Sequence, residues 1–358
     1  MDHIAIDVGG RESQVCVRSE TGKILQEIRV DTRDLPKLFG RQEPSNVILE
    51  TCSESFHLAD AAIEHGHRVR VVPATLAKAL GVGARKTKTD VRDARALSEA
   101  SCRLTELPSV HVPSHESRVI KTRLSIRDAL VGSRTHLVNA VRGWLRSAMV
   151  RLRSGAVETL PQRVRDAVET PPFIESALVV IETLSVQIRD VDRELATLAK
   201  SGSTTRLLMS TPGIGAQTAV AFAATLDDAS LFDAAFKVAA YLGLTPGERS
   251  SGDSKHRVGI TKAGSPRVLW LLIQAAWTFR RRAKTHPIAL WATEVEKRRG
   301  KFVAVVALAR KLAGVLFAIW RDGVPYDSKR GAAPPAARVD VTTTPVPTAL
   351  LEARSGAT

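Results

Sequence analysis

Asp90 and Asp93 lie three residues apart in the stretch KTKTDVRDARAL, which is otherwise rich in Lys and Arg. Positions three apart are neighbours on one face of a helix, so a helix here would present both carboxylates together. The ordinary interpretation is a solvated helix face with local ion pairs. The alternative is a metal site that acts on a polyanion, because carboxylates are the hard oxygen ligands that suit Mg²⁺ or Mn²⁺.

Two further acids stand at the ends of predicted strands. Asp7 closes the apolar stretch HIAID, and Glu50 closes NVILE. Ligands of open α/β sheets usually bind at strand C-terminal ends, and a helix packed across that edge would bring Asp90 and Asp93 beside Asp7 and Glu50. Four crowded carboxylates stay ionised only if cations neutralise them. The order of these acids along the chain, a strand Asp, a strand Glu and then the helical D-x-x-D, predicts two metal ions about 4 Å apart. That arrangement is suited to phosphoryl transfer.

The elements that must position these acids are predicted from hydrophobic alternation. SQVCVRS and KILQEIRV are joined by a turn at Thr21–Gly22, which predicts a hairpin. A helix from about Ser55 to His65 and a strand RVRVV that stops at Pro73 follow. Strands that meander and then alternate with helices predict a mixed sheet flanked by helices, so residues 1–107 are assigned to an α/β domain.

Composition favours a nucleic-acid partner. The 358 residues carry a formal net charge of +15, and nucleic acid is the commonest polyanion. Three cysteines without a C-x-x-C argue against a disulfide framework and a structural zinc site. The N-terminus does not resemble a signal peptide, and Arg310 and Lys311 interrupt the most apolar stretch, which favours a core helix over a membrane span. We therefore expect a cytoplasmic protein, associated with the nucleoid during its reaction.

The middle of the chain, residues 108–200, is predicted to be a helical arm with a coiled-coil portion. Apolar residues alternate three and four apart at Ile181, Leu184, Ile188, Val191, Leu195 and Leu198. This seam of nearly three heptads fits either dimerisation or an antiparallel helix pair within one chain. Arginines at 123, 127, 134, 142 and 146 recur on roughly one side of an earlier helix. They either contact phosphates or form a solvated face.

Residues 201–325 are predicted to form a third, mostly helical domain. In the stretch STPGIGAQTAVAFAATL, Pro212, Gly213 and Gly215 precede a helix. Glycines permit close backbone approach, and free N–H groups at a helix start can hold a phosphate. The stretch looks like a helix-hairpin-helix element, although a helix cap after a loop is the more common explanation for such a stretch taken alone. Residues 326–358, rich in Ala, Pro and Thr, are predicted to be a disordered tail.

The stretches AIDVG, VILETCS and the T-D-x-x-D-A run from Thr89 to Ala94 resemble the DEDD domain of insertion sequence 110 family transposases. These enzymes are also called bridge-RNA-guided recombinases, and pilin-gene invertases are their relatives. The resemblance implies an RNase H-like fold, as in RuvC nucleases. It also implies that Asp7, Glu50, Asp90 and Asp93 are catalytic metal ligands.

The resemblance continues in the third domain. The family's Y-x-G-L-x-P, S-G and K-x-G runs correspond to Tyr241–Pro246, Ser251-Gly252 and Lys262–Gly264. The family's serine nucleophile falls in the S-G pair and is carried over to Ser251, with Ser250 as the alternative. The chain departs from the family at Ser265 and Trp270, where Asn and Arg are usual. Nucleic-acid contacts are predicted for Lys88, Arg92, Arg123, Arg127, Arg134, Gly213, Gly215, Lys262 and Arg267.

The resemblance implies DNA recombination for a mobile element, guided by a structured RNA that pairs with donor and target DNA. Ser251 would form a covalent phosphoserine link to DNA, with Mg²⁺ or Mn²⁺ at the carboxylates, in an assembly ranging from a dimer to a synaptic tetramer. Three alternatives remain open. A RuvC-like nuclease would use water and would not need Ser251. A scaffold would need neither metal nor carboxylates, and a site-specific invertase of the same family would rearrange one DNA.

Overall fold

The computed structural model describes residues 1–77, 89–104, 106–251 and 254–328. The chain divides into two compact units, Met1–His115 and Glu116–Thr358. Lys88, one of the predicted nucleic-acid contacts, lies outside the described residues, and so does the predicted tail beyond residue 328. The finer division at residues 107 and 200 stays a prediction.

The first unit is built on a five-stranded mixed sheet with the strand order β3-β2-β1-β4-β5. The strands are β1 (His3–Asp7), β2 (Glu12–Arg18), β3 (Ile24–Asp31), β4 (Asn46–Glu50) and β5 (Arg68–Val72). β1, β2 and β3 are antiparallel neighbours, whereas β4 runs parallel to both β1 and β5. The mixed α/β architecture predicted for this part of the chain is confirmed.

Helices cover both faces of this sheet. Side chains alternate between the faces of a strand. Ile4 and Ile6 therefore join a core with α1 (Leu35–Phe39) and α2 (Ser55–Glu64), while Ala5 joins a second core on the opposite face. That second core contains Leu97 of α4 (Asp90–Arg103). A short α3 (Ala74–Ala77) follows β5.

Polar contacts set the position of α4 along the sheet. His3 Nδ1 lies 2.7 Å from Ser101 Oγ, and Cys16 Sγ lies 3.3 Å from Ser98 Oγ. Ala5 on β1 pairs with Cys16 on β2. Residues later in α4 therefore lie nearer the start of β1, so the helix runs antiparallel to that strand and begins at the strand's C-terminal end.

The second unit begins with a helical arm. Its helices are α5 (His115–Ser147), α6 (Leu160–Ala167) and α7 (Pro172–Ser201). Arg123 and Arg134 of α5 bond to Glu194 and Ser185 of α7, so residue numbers rise on one helix as they fall on the other. The antiparallel helix pair is thus the arrangement adopted within this chain. Dimerisation through the seam stays a prediction.

The described residues of the rest of the second unit form helices apart from one hairpin. It comprises α8 (Ser203–Met209), α9 (Ala216–Leu226), α10 (Ala235–Tyr241), β6 (Pro246–Ser251), β7 (Ser254–Ile260), α11 (Pro266–Arg282), α12 (Pro287–Arg299) and α13 (Lys301–Asp322). The hairpin was not predicted. Gly202 joins α7 directly to α8, and Leu195, Ala199 and Leu208 of these two helices belong to one core. Tyr326, assigned to the tail, donates its N–H to Ser210 Oγ at 2.7 Å.

α13 lies at the centre of this unit. By length and composition alone it is apolar enough to cross a membrane, and half of its most apolar window is buried inside the unit. Leu308, Leu312, Leu316 and Phe317 are each at most 1% exposed and belong to the main core. A core helix has this composition when its neighbours surround it, as they do here.

Replacing Leu97 with Ala tests the packing of α4 on the sheet. Leu97 is fully buried, so its truncation should lower the free energy of unfolding by about 2–5 kcal/mol. The control Leu25→Ala removes a leucine that is 53% exposed on β3 and should cost less than about 1 kcal/mol. Urea denaturation measures the free energy of unfolding of both variants, and amide hydrogen exchange in β1 and β4 reports the loss within the sheet. Equal losses of stability in the two variants would contradict the packing of α4 on the sheet.

Candidate active site

Asp7 and Glu50 end two neighbouring parallel strands at the same level. The register between β1 and β4 pairs Ile6 with Leu49. Asp7 and Glu50 are the next residues along each strand. Neighbouring strands lie about 4.8 Å apart, so the two acids stand side by side at the C-terminal edge of the sheet.

Both acids belong to the sheet face that α4 covers. Asp7 shares a face with Ala5, two residues earlier, and Glu50 shares a face with Ile48. Ala5 and Ile48 pack with Leu97 of α4 in one buried cluster. Asp7 and Glu50 therefore lie on the same side of the sheet as the D-x-x-D helix.

The antiparallel course of α4 brings its first turn to this edge. Ser101 contacts His3, and Asp93 lies eight residues earlier in the helix, a distance of about 12 Å. Asp7 lies four residues after His3, which is about 13 Å along the strand. The two displacements match, so Asp93 lies level with Asp7. The fold thus brings the first turn of α4, with Asp93, to the edge where Asp7 and Glu50 end their strands, while the convergence of all four acids on one metal site stays a prediction.

Thr89 explains why the helix begins where it does. It is the N-cap of α4, with extended backbone angles, and its side chain accepts a hydrogen bond from Arg92 N–H at 3.4 Å. Asp90 and Asp93 then occupy the first turn, where the helix dipole favours negative charge. Asp93 is 2% exposed, whereas Asp90 is exposed. The role of Thr89 was readable from the sequence as an N-cap signal and was missed.

The donor chemistry of this edge fits a hard divalent ion, because all four candidate ligands are carboxylates. Their side chains are not drawn into a ready cluster. Among the described residues, no group of three or more His, Cys, Asp or Glu side chains could hold a metal ion. The predicted two-metal cluster is therefore not preformed in this structure.

The loop after Asp7 is held by two buried hydroxyl groups. Thr32 Oγ1 donates to the Gly9 carbonyl at 2.7 Å and lies 2.8 Å from Ser13 Oγ. A Cβ on Gly9 would lie 2.1 Å from the Glu12 carbonyl oxygen, so only glycine fits there. These contacts fix the chain that leaves the first carboxylate.

Ser251 is the last residue of β6, where it pairs with Ser254 of β7. The sequence pattern indicated a loop, and the structure corrects this to the end of a strand in a two-stranded antiparallel sheet. Ser250, the alternative nucleophile, precedes it and pairs with Lys255. Both serines thus lie at the end of β6 that pairs with the start of β7.

The base of this hairpin is a close crossing of two backbone segments. Gly243 has φ +72°, and a Cβ there would lie 2.7 Å from Ala263 N. A Cβ on Gly264 would lie 2.4 Å from the Tyr241 carbonyl oxygen. Lys262 N–H donates to the Gly243 carbonyl at 3.0 Å. The Y-x-G-L and K-x-G runs are therefore the two halves of one clamp beneath Ser251.

Two titratable residues near Tyr241 were missed by sequence reasoning. Burial raises the pKa of the Tyr241 phenol, and the Asp227 carboxylate raises it further. Burial lowers the pKa of the Lys121 ammonium, while Asp227 acts in the opposite direction. Asp227 has φ +66°, a left-handed conformation unusual for a residue other than glycine. No motif marks Asp227 or Lys121 in the sequence.

Four of the arginines predicted to bind nucleic acid form ion pairs within the second unit. The pairs are Arg123 with Glu194 at 3.5 Å, Arg127 with Asp192 at 2.5 Å, Arg134 with Glu158 at 2.8 Å and Arg267 with Asp128 at 2.6 Å. The side chains of Arg127 and Arg134 are only 17% and 14% exposed. These arginines join helices, and their phosphate contacts stay a prediction.

The remaining predicted contacts differ in accessibility. Gly213 has φ +86°, and a Cβ there would lie 2.7 Å from the Ala275 carbonyl oxygen, so it packs the loop against α11. Gly215 is the N-cap of α9 and faces open space. Arg92 and Lys262 are exposed. A helix-hairpin-helix role for α8 and α9 stays a prediction.

Two family models match the chain. Residues 205–291 match the model described as Transposase IS116/IS110/IS902 family. Residues 4–150 match a second model, described as Transposase, for the DEDD domain of IS110 transposases. A DEDD transposase domain implies an RNase H-like fold, which agrees with the mixed sheet of the first unit.

Relatives extend the likeness over most of the chain. The transposase for insertion sequence element IS1111A of Coxiella burnetii is 29% identical, covering 88% of this chain and 88% of the relative. The transposase for IS1328 of Yersinia enterocolitica is 27% identical over 90% of this chain and 98% of its own length. A putative transposase of Sinorhizobium fredii, y4rJ, is 30% identical over 79% of this chain and 78% of its own length.

Replacing Gly264 with Ala tests the clamp beneath Ser251. The new Cβ would meet the Tyr241 carbonyl oxygen at 2.4 Å, so the free energy of unfolding should fall by about 2–4 kcal/mol. Gly259→Ala, in β7 of the same hairpin, meets no atom within 4 Å and should change stability by less than about 1 kcal/mol. Chemical denaturation measures both. A Gly264→Ala protein as stable as Gly259→Ala would refute the close crossing.

Proposed function

This chain belongs to the IS116/IS110/IS902 family of transposases, and we propose that it cleaves and exchanges DNA strands by an RNA-guided serine mechanism. Transposition of an insertion sequence is the activity of the family. The observation that carries the finer proposal is that Asp7, Glu50 and Asp93 reach the same edge of the sheet. Ser251, the proposed nucleophile, lies on a hairpin whose base is a close crossing of two backbone segments.

Asp7, Glu50, Asp90 and Asp93 are the residues proposed to hold a divalent cation, Mg²⁺ or Mn²⁺. When bound, such an ion supplies charge stabilisation at a phosphate undergoing displacement. The two strand residues are fixed by the sheet, whereas the two helix residues depend on the placement of α4. Gathering the carboxylates would be unfavourable by mutual repulsion unless a cation or nucleic acid brings positive charge to them.

Ser251 is proposed to attack a DNA phosphate. Its Oγ–phosphorus bond forms as the serine hydroxyl loses its proton to the activating carboxylate, one phosphorus–oxygen bond of the DNA strand breaks, and the departing DNA oxygen takes up a proton. The phosphoserine link retains a phosphodiester bond that a second DNA hydroxyl can attack, so strands can be exchanged without an external energy source. Serine hydroxyls need activation, and a carboxylate of the DEDD edge is the proposed source of it.

Recognition is proposed to be divided between protein and RNA. A structured RNA from the element would pair with donor and target DNA, while the protein reads RNA shape and backbone. The excess of basic residues, with a net charge of +15, suits that role. The DEDD edge and Ser251 are proposed to come from different subunits, which requires a dimer and, for two DNA partners, a synaptic tetramer.

A covalent trapping assay tests the serine. The protein is mixed with RNA transcribed from the element, matched donor and target DNA and Mg²⁺, and a denaturing gel reveals DNA bound to protein. We expect an adduct in the wild type, loss of it in Ser251→Ala, and RNA binding unchanged in that variant. Ser250→Ala is the matched control and should retain the adduct.

The same assay separates the alternatives. Cleavage without an adduct that survives Ser251→Ala would identify a hydrolytic nuclease of the RuvC type. Loss of the adduct in Ser250→Ala alone would move the nucleophile by one residue. Binding without any cleavage in Mg²⁺ or Mn²⁺ would favour a nucleic-acid scaffold.

Neutralising the carboxylates tests the metal site. Asp7→Asn, Glu50→Gln, Asp90→Asn and Asp93→Asn should each reduce cleavage more than about 100-fold, the scale on which loss of a charge-stabilising group acts. Asp2→Asn, at the opposite end of β1, should retain activity. Titration of Mn²⁺ by calorimetry provides a second readout. Unchanged Mn²⁺ binding in all four variants would exclude these residues as the ligands.

A further inference from the structure

A cluster of positive charge lies in a part of the second unit that no predicted site uses. Eight Lys and Arg residues and two Glu residues fall between Arg280 and Lys301, a net charge of +6 out of +15 for the whole chain. The cations form two runs, at the C-terminal ends of α11 and α12. The second run lies beyond residue 291, where the matched family model ends.

Contacts through Trp277 and Glu296 bring these runs together. Lys301 Nζ lies 5.1 Å from the Trp277 ring centroid, and the Arg280 guanidinium lies 5.8 Å from it. Arg280 also forms an ion pair with Glu296 in the last turn of α12. The end of α11, the end of α12 and the start of α13 therefore meet at one place.

A one-residue corner keeps the last two of these elements close. Gly300 has φ +86° and separates α12 from α13. Its N–H donates to the Glu296 carbonyl at 2.8 Å, and its carbonyl accepts from Ala304 N–H at 3.1 Å. Glycine suits this left-handed position after a helix. Arg299 and Lys301, on either side of it, are both exposed.

The two acids of the region do not neutralise these cations. Glu296 pairs with Arg280, and Glu294 pairs with Lys297 at 2.8 Å. The exposed cations that form no ion pair within the described ranges are Arg281, Arg282, Lys284, Arg298, Arg299 and Lys301, named here the basic corner. Helix dipoles favour cations in the last turn, but Lys284 follows the helix and Lys301 begins one, so that effect does not explain the whole set.

Exposed apolar side chains stand beside this charge. Phe302 is 79% exposed and Val303 is 49% exposed at the start of α13. A largely exposed aromatic side chain leaves apolar area in water, which is unfavourable for the isolated protein. It is typical of surfaces that contact the sugars and bases of nucleic acid while the cations contact phosphates.

We propose that the basic corner and Phe302 bind the backbone of double-stranded DNA without reading its sequence. The cations would lie along phosphates on the two sides of a groove, and Phe302 would contact sugars or base edges within it. Charge complementarity favours this partner, because six unpaired cations meet a polymer with a dense row of negative charge. The proposal rests on the family's DNA substrate and not on the RNA guide or Ser251.

The salt dependence of DNA binding tests the proposal. The variant Arg282→Gln/Arg299→Gln/Lys301→Gln is compared with Lys37→Gln/Arg103→Gln/Arg193→Gln, which removes three side chains that are 72–77% exposed elsewhere. The full-length proteins are titrated against a fluorescent random-sequence duplex over a range of salt. The first variant should lower the slope of log affinity against log salt by about 2–3. Its affinity should fall about 10- to 100-fold at moderate salt.

Phe302→Ala gives an independent measurement. It should weaken DNA binding while leaving the salt slope unchanged, because no charge is removed. Thermal unfolding is recorded for every variant, and a milder pair, Lys284→Gln/Arg298→Gln, takes the place of the triple variant if that protein unfolds early. The pair should lower the slope by about 1–2.

Three results would overturn the proposal. An equal loss of DNA affinity in the control triple variant would mean that binding depends on the total charge of the protein and not on the basic corner. Wild-type DNA binding by the basic-corner variant, with weakened binding of a fluorescent RNA hairpin, would assign the surface to RNA. Wild-type binding of both, with altered sedimentation, would assign Phe302 and its neighbours to self-association. None of these results depends on whether the trapping assay yields an adduct.

Discussion

The position of α4 along β1 is the constraint on which the candidate catalytic edge depends. Two hydroxyl contacts, at Ser98 and Ser101, and one buried leucine, Leu97, fix where the helix lies on the sheet. A shift of one helical turn would move Asp93 by about 5.4 Å. That is more than the spacing of neighbouring strands, so the hydroxyl contacts decide whether the acids share an edge.

A second constraint is a close backbone crossing that only glycines, which have no side chain, allow. Gly243 and Gly264 allow two backbone segments to cross at distances that no Cβ permits. The hairpin above them has little of its own to hold it, because an isolated two-stranded sheet is only marginally stable. Its orientation is therefore set at its base. Residues that share no chemistry with Ser251 thus determine where its backbone lies.

The sequence predicts the first unit well because each element there has a local cause. Alternating apolar residues define the strands, Pro73 stops β5, and Thr89 caps α4. Parallel pairing of β1 with β4 is then sufficient to place Asp7 and Glu50 at the same edge of the sheet. What local pattern cannot give is the axial position of α4, since it depends on contacts such as His3 with Ser101, nearly one hundred residues apart.

The hairpin of the second unit escaped prediction for a related reason. The stretch PGERSSGDSKHRVGI is polar and rich in turn-forming residues, and such composition is typical of a loop. Its strands form because the glycine crossing brings their ends together, as the Thr261 N–H bond to the Thr245 carbonyl at 2.9 Å shows. Tertiary closure, rather than strand propensity, produces this sheet.

Charge in this chain is not equally available to a partner. In the arm, Arg123, Arg127 and Arg134 each form an ion pair with an acid on a neighbouring element. Their positive charge is therefore partly neutralised, and they attract an external anion less strongly. Periodicity displayed those arginines clearly and could not reveal the acids opposite them. Near Gly300 the opposite holds, because the two local acids form ion pairs with only two of the cations. The remaining cations of the basic corner are exposed. A count of basic residues therefore predicts that nucleic acid binds, whereas the pairing of those residues decides where.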